Sequence, residues 1–194
     1  PTFQLVSYYQ MLKSLLTLPL TKGLDIDDPR ATSLRKQIIK EKPFLKKIYD
    51  EWYREITEEF IDVQAPILEI GSGAGHLSES FQVITSDLVA YSNIQIVLNG
   101  QELPFSENSL KGIVLIGVLH HLPNPWSFLR EATRCVVPGG KMFLMEPWVT
   151  AWSNLIYRHF HHEPFDPEAK DWEFETTGPL AGANQALSWI IFSR

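Results

Sequence analysis

The stretch APILEIGSGAGHLSESFQVITSDLV, residues 65–89, limits the possible folds more than any other part of the chain. An apolar run carries Glu69 near its end, three glycines follow at alternate positions (Gly71, Gly73 and Gly75), and a second apolar run ends in Asp87. Short, nearly continuous apolar runs divided by a glycine turn read as strands buried on both faces, as in a parallel sheet. Glycine lets the backbone of the turn approach a bound group closely. An acid at a strand end accepts hydrogen bonds from hydroxyls or from an amine. Together these features point to a ligand that carries a nucleoside.

The remaining sequence continues the pattern. PILEI, QVITSD, IQIVLN, GIVLIGV and KMFLME are strand candidates, with helix candidates GHLSESF and NPWSFLREATRCV between some of them. The connection LVAYSN is short enough to lack a helix. Alternation of this kind predicts an α/β fold: a Rossmann-like, doubly wound, mostly parallel sheet with helices on both faces.

Residues 1–60 read as helical. In PFLKKIYDEWYREITEEFI the apolar side chains of Phe44, Ile48, Trp52, Ile56 and Phe60 recur every four residues and predict a buried stripe. Lys47 with Glu51, and Asp50 with Arg54, have the spacing of helical ion pairs. Residues 148–188 lose this regularity and hold Trp148, Trp152 and Trp172 among histidines and prolines. They read either as a substrate-side insertion or as an irregular surface segment. The predicted organisation is an N-terminal helical cover over 1–62, a ligand-binding core over 63–147 and an aromatic-rich segment over 148–194. SWIIF reads as a strand or as the lead-in to a helix. The chain begins at Pro1 and stops at Arg194 just after that apolar run, as a piece of a longer protein would. The final strands of the sheet are expected to be incomplete, leaving an open edge.

Composition narrows the partners. At 194 residues, 44% hydrophobic and 21% charged, the chain suits one soluble domain. Its net charge of −6 argues against nucleic acid, which needs a basic surface. The basic residues between Arg30 and Arg54 alternate with acids, as on a solvated helix face. Cys135 is the single cysteine, which excludes an internal disulfide and fits a reducing compartment, so the expected location is cytoplasmic. MLKSLLTLPL lacks the cationic leader and cleavage site of a signal peptide and is too short to span a membrane. Composition leaves the oligomeric state open.

A nicotinamide or flavin dinucleotide site would carry G-x-G-x-x-G at the first turn. Here Gly71-Ser72-Gly73-Ala74-Gly75-His76 puts histidine where the third glycine belongs, and Glu69 precedes the run. The segment ILEIGSGAGHL instead resembles the first motif of class I S-adenosylmethionine-dependent methyltransferases. The resemblance continues through VITSDL and LNGQELPFSENSLKGIVLIGVLHHLPNPWSFLREATRCVVPGGKMFLMEP. It is similar to the branch that acts on small molecules, including quinone biosynthesis enzymes, and it covers residues 66–147.

The resemblance implies S-adenosylmethionine as cofactor and a small-molecule methyl acceptor. The glycine turn of Gly71, Ser72, Gly73 and Gly75 would meet the cofactor's carboxylate at a helix N-terminus near Ala74. Glu69 would face its ammonium or hold the amides of the loop. Asp87 falls 18 residues after Glu69, near the roughly 20-residue spacing of a ribose-binding acid; a helix N-cap is the other use of Asp there. The family usually has Asp-Ala where this chain has Asn99-Gly100. The Asn99 amide oxygen can still accept from the adenine amine, and Gly100 or Gln101 would offer backbone N–H. Leu88, Leu103 and Val118 are candidates to line the adenine pocket, or they pack the core.

The transferred methyl would lie beyond the fourth strand, where His120 and His121 stand. Either imidazole can serve as a general base, or the pair supports the cofactor loop. HFHHEPFD gathers His159, His161, His162, Glu163 and Asp166 without a recognisable metal spacing, so no metal is expected. Cys135 reads as a packing thiol. A catalytically silent S-adenosylmethionine-binding or assembly module is the alternative function, and an NAD-dependent oxidoreductase the third.

Overall fold

The computed structural model describes residues 20, 23–24, 28–60, 62–176, 178 and 182–193. Most of MLKSLLTLPL therefore lies outside the described residues, as does the helical reading of positions 1–19.

Five strands form one parallel sheet in the order β3-β2-β1-β4-β5. They are β1 (Ile67–Ile70), β2 (Ile84–Asp87), β3 (Ile96–Val97), β4 (Leu110–Ile116) and β5 (Val136–Met145). All five strand candidates are present. Chain order reverses between β1 and β4, so the ends of these strands diverge and leave a crevice at their carboxyl ends. The glycine turn follows β1 directly into that crevice.

Alternate residues of the central strands feed two cores. Leu68, Ile70, Ile113 and Leu115 pack on one face with Phe128, Ala132 and Cys135 of helix α3 (Pro125–Cys135). Ile67 and Val114 pack on the other face with Tyr53 and Ile56 of helix α2 (Pro43–Glu58). Completely burying a side chain such as Phe128 contributes about 1.5–3 kcal/mol. Helix α3 starts where the sequence marks it: the Asn124 side chain accepts from the Ser127 N–H, and Pro125 occupies the first turn. Cys135 is fully buried and its thiol points to the Phe105 carbonyl, in keeping with a packing role.

The apolar stripe of α2 is rotated from its predicted position. Phe44 is 75% exposed, whereas Tyr53 and Ile56 are buried, with Tyr49 and Phe60 packed beside them. The buried face thus runs 49, 53, 56, 60. It follows the 3.6-residue helical period more closely than a strict four-residue repeat does. Asp50 pairs with Lys46 and faces His76 instead of meeting Arg54, while Lys47 and Glu51 approach to 3.8 Å.

Helix α1 (Pro29–Glu41) packs on α2 and brings Thr32 against Gly73 of the glycine turn; Lys36 and Lys40 pair with Glu79 at 3.6 and 2.7 Å. GHLSESF does not become an α-helix. Only a single 3₁₀ turn, Leu77–Glu79, forms there. LVAYSN carries no helix, as expected.

Beyond β5 lie helix α4 (Ala151–His159), which buries none of its residues, and helix α5 (Leu187–Ser193), which buries Leu187, Ser188 and Ile190. SWIIF is therefore helical, because Leu187 and Ile190 are three apart and both turn inward. Among the described residues no strand pairs with the outer side of β5, so the sheet edge is open there. No helix among the described residues is long and apolar enough to cross a membrane.

Candidate functional site

A cavity of ≈ 460 Å³ opens at the carboxyl ends of the strands, within the usual size of small-ligand sites. Gly71, Gly73, Asp87, Leu88, Asn99, Gly100, Gln101, Val118 and His121 line it. Those positions were all legible in the sequence. Glu69, Ser72, Gly75 and His120 were expected at the site and do not line the cavity.

The three glycines have three different duties. Gly71 adopts φ +68°, and a Cβ there would lie 2.4 Å from the Val118 side chain. It alone lets the β1 and β4 ends approach. Gly73 donates its N–H to Asp87 Oδ2 at 3.1 Å, which ties the turn to β2. Gly75 crosses over Tyr53 and Glu69, where a Cβ would meet the Tyr53 hydroxyl at 3.0 Å and Glu69 Oε1 at 3.3 Å. Its missing side chain makes room for the protein itself.

Ser72 is buried and bonds inward. Its hydroxyl donates to the Glu69 carbonyl at 3.1 Å and accepts from the Ser86 N–H at 3.2 Å. The side chain therefore joins β1 to β2 and turns away from the ligand space. Glu69 is likewise buried beneath the turn. Burial pushes its carboxyl up to about 7, opposed by a hydrogen bond from Ser72 and by Lys36, and reinforced by Asp87.

Asp87 is not a helix N-cap. Its Oδ1 accepts from the Val89 N–H and its Oδ2 from the Gly73 N–H, both at 3.1 Å. Burial raises its pKa, and the amides of Val89, Gly73 and Leu88 oppose that rise. The carboxylate borders the cavity. Asn99 Oδ1 accepts from both the backbone N–H and the side-chain amide of Gln101, at 3.0 and 3.1 Å. Leu103 belongs to the core, which realises the packing alternative.

The carboxylate-binding helix end expected near Ala74 does not form, because one 3₁₀ turn builds no appreciable dipole. A positive charge reaches the cavity wall from elsewhere: Arg35 of α1 lines it beside Thr32. The Thr32 hydroxyl donates to the Tyr91 hydroxyl at 3.2 Å and closes α1 onto the loop after β2. Sequence reasoning missed Thr32, Arg35 and Tyr91. They come from a helix and a loop with no local motif, brought to the site by tertiary packing. Gly117 was also missed, although its place between β4 and Val118 and its φ of +66° mark a tight turn.

His120 and His121 part company. Glu146 Oε1 accepts from the backbone N–H groups of Val118 and Leu119, both at 2.7 Å, while its Oε2 lies 2.6 Å from His120 Nδ1. His120 Nε2 faces Glu163 at 3.5 Å. Burial alone would lower the His120 pKa, but Glu146 and Glu163 outweigh it and raise the imidazole to about 9. His120 is therefore a buried brace of the loop after β4, set between Glu146 and Glu163 and away from the cavity wall. His121 borders the cavity, and its Nδ1 donates to the Gly182 carbonyl at 3.0 Å. Burial and the neighbouring His120 lower its pKa.

The tryptophans do not form the mouth. Trp126 and Trp172 stack on each other with centroids 4.8 Å apart, and neither lines the cavity.

Residues 68–144 match the family model of a methyltransferase domain. Residues 68–144 carry a methyltransferase domain, consistent with a class I S-adenosylmethionine-dependent methyltransferase. The cofactor of this methyltransferase domain is S-adenosylmethionine. Its fold is similar to that of a proposed S-adenosyl-L-methionine-dependent methyltransferase from Methanococcus maripaludis, with 19% identity and a TM-score of 0.50 over 71% of this chain and 74% of that one. It is similar also to a proposed methyltransferase solved in complex with the Haloferax volcanii Trm112 methyltransferase activator, with 12% identity and a TM-score of 0.50 over 69% of this chain and 66% of that one. At such identities the likeness is one of fold. No curated protein matches the sequence.

Proposed function

We propose that this methyltransferase domain transfers a methyl group from S-adenosylmethionine to a small-molecule acceptor. The observation that carries the reading is the composition of the cavity wall. It offers a cation (Arg35), a buried carboxylate (Asp87), a polar loop (Asn99, Gly100 and Gln101) and apolar side chains (Leu88, Val118 and Leu122) around one cavity. A zwitterionic nucleoside needs each of these. Arg35 suits the carboxylate of the cofactor, Asp87 the ribose hydroxyls, and the Asn99–Gln101 loop the adenine edge. Gly71 lets Val118 pack close against the turn at the cavity wall. The residues present fit the group.

When bound, the cofactor supplies a methyl group on a sulfonium, and the protein's part is to align an acceptor and exclude water. Thr176 and Gly178 add the C-terminal segment to the cavity wall. His121 is the imidazole at the wall and so the one placed to meet an acceptor. The lone buried thiol of Cys135 supports a reducing, cytoplasmic setting.

Calorimetric titration with adenosylhomocysteine, with NAD as control, tests the reading. Saturable binding of the first alone supports it, and transfer of labelled methyl to small acceptors then establishes turnover. Binding of both without preference, or of NAD alone, overturns it. Binding of adenosylhomocysteine with no transfer to any acceptor favours the silent binding module.

A further inference from the structure

We propose that His120, His121 and Glu163 form a binding site for a divalent first-row transition-metal cation of the zinc type, at the edge of the cavity. The cluster unites two sequence motifs that lie far apart, the HHL after β4 and the HFHHEPFD that begins at the last residue of α4. One donor atom from each of the three side chains lies within 4.8 Å of the others.

The orientation of the two imidazoles carries the argument. His120 Nδ1 is held by Glu146 Oε2 at 2.6 Å, and His121 Nδ1 by the Gly182 carbonyl at 3.0 Å. Metal-bound histidines engage their second nitrogen in this way, with a carboxylate or a backbone carbonyl behind the ring. Both Nε2 atoms are then left facing one carboxylate, His120 to Glu163 Oε2 at 3.5 Å and His121 to Glu163 Oε1 at 3.7 Å. These separations are long for N–H···O bonds. They approach the roughly 3.4 Å between donors that share a tetrahedral cation at about 2.1 Å.

The surroundings suit a cation. The side chains of His120, His121 and Glu163 are only 5, 15 and 13% exposed. Glu163 is held in place by the side-chain amide of Gln185, and Glu146 adds a second carboxylate behind His120. Imidazole with carboxylate is the donor set of zinc and its neighbours rather than of calcium or magnesium. Three protein donors leave a further coordination position, and the cavity beside His121 gives it access. On the methyl-transfer reading above, that position would orient an oxygen or nitrogen of the acceptor, so His121 would act as a ligand and not as a free base.

Tag-free protein stripped with a chelator would be titrated with zinc by calorimetry and with cobalt(II) by visible absorption. The expected result is one equivalent bound in the micromolar range or tighter. Glu163→Gln should weaken binding at least tenfold, and His159→Ala, on the exposed face of α4, should leave it unchanged. Absence of binding, or equal binding in Glu163→Gln, overturns the site. If Glu163→Gln fails to fold by circular dichroism, X-ray absorption of the zinc-loaded wild type decides: two imidazoles and a carboxylate support the site, and fewer than two imidazoles overturn it. Adenosylhomocysteine titration of the metal-free sample reads the cofactor site separately, so failure of one does not imitate failure of the other.

Discussion

The Tyr53 hydroxyl accepts a hydrogen bond from the backbone N–H of His76 at 3.0 Å, and this bond fastens α2 to the end of the glycine turn. The two rings meet edge to face with centroids 4.9 Å apart, and His76 Nε2 lies 3.1 Å from Asp50 Oδ1 on the same helix. The histidine that breaks the dinucleotide fingerprint is thus the residue on which the helical cover is clamped. A third glycine at that position would give α2 no ring to grip.

Tyr53→Phe should therefore destabilise the fold. The substitution keeps the ring packing and removes the acceptor, leaving a buried N–H without a partner. The cost of such an orphan is about 1–3 kcal/mol. Urea unfolding monitored by fluorescence reads it directly, and a midpoint equal to that of the wild type would show that the clamp does not bear on stability.

Gly71→Ala should be worse than an ordinary surface substitution. The backbone sits at φ +68°, and the new Cβ would lie 2.4 Å from a Val118 methyl. Left-handed backbone costs an alanine roughly 1–2 kcal/mol, and displacing Val118 adds to it. Because Val118 lines the cavity, adenosylhomocysteine affinity should fall at least tenfold along with stability. Calorimetry on the folded variant checks this; unchanged affinity would separate Gly71 from the binding site.

The sheet was legible because its strands are buried on both faces and so read as continuous apolar runs. The glycine turn was legible because its spacing is local. What escaped notice depends on packing between distant segments. Arg35 and Thr32 look like ordinary helix residues until α1 is laid across the turn. Glu163 was visible within HFHHEPFD, but its meeting with His120 and His121 was not, because it joins segments some forty residues apart. The short run after Gly75 carried a helical pattern, yet its residues spend their backbone bonds on a single 3₁₀ turn. The stripe on α2 failed for another reason: it was drawn on a strict four-residue repeat, which passes over Tyr53, although Tyr53 buries its ring and satisfies its hydroxyl.

Glu69 should make stability depend on pH. Its carboxyl is pushed up to about 7 by burial from an ordinary value of 4.5. The folded state then holds this proton more tightly than the unfolded chain does. The stability linked to it is fully present below about pH 4.5 and is lost as pH rises through about 7. Glu69→Gln cannot ionise, so relative to the wild type it should gain on the order of 1–3 kcal/mol between about pH 4.5 and pH 8.5. Urea midpoints of both proteins across that range isolate the effect, since other groups cancel. A difference that stays constant with pH would mean that Glu69 ionises normally.

Asp87 and Asn99 should contribute very unequally to cofactor binding. Asp87 borders the cavity while holding the Gly73 and Val89 amides at 3.1 Å. Asp87→Ala removes an acceptor and also loosens the glycine turn, so adenosylhomocysteine affinity should fall about a hundredfold, near 3 kcal/mol. Asn99 already spends its amide oxygen on two bonds from Gln101. A further bond to an adenine amine adds little, and Asn99→Ala should cost only a fewfold loss. Asn99→Asp restores the charge that the resembling family usually has there, and should tighten binding by roughly threefold to tenfold through a charge-assisted bond. Calorimetric titration of the three variants tests the ordering. Equal losses in the two alanine variants would mean that the cofactor does not lie along this wall in the orientation assigned.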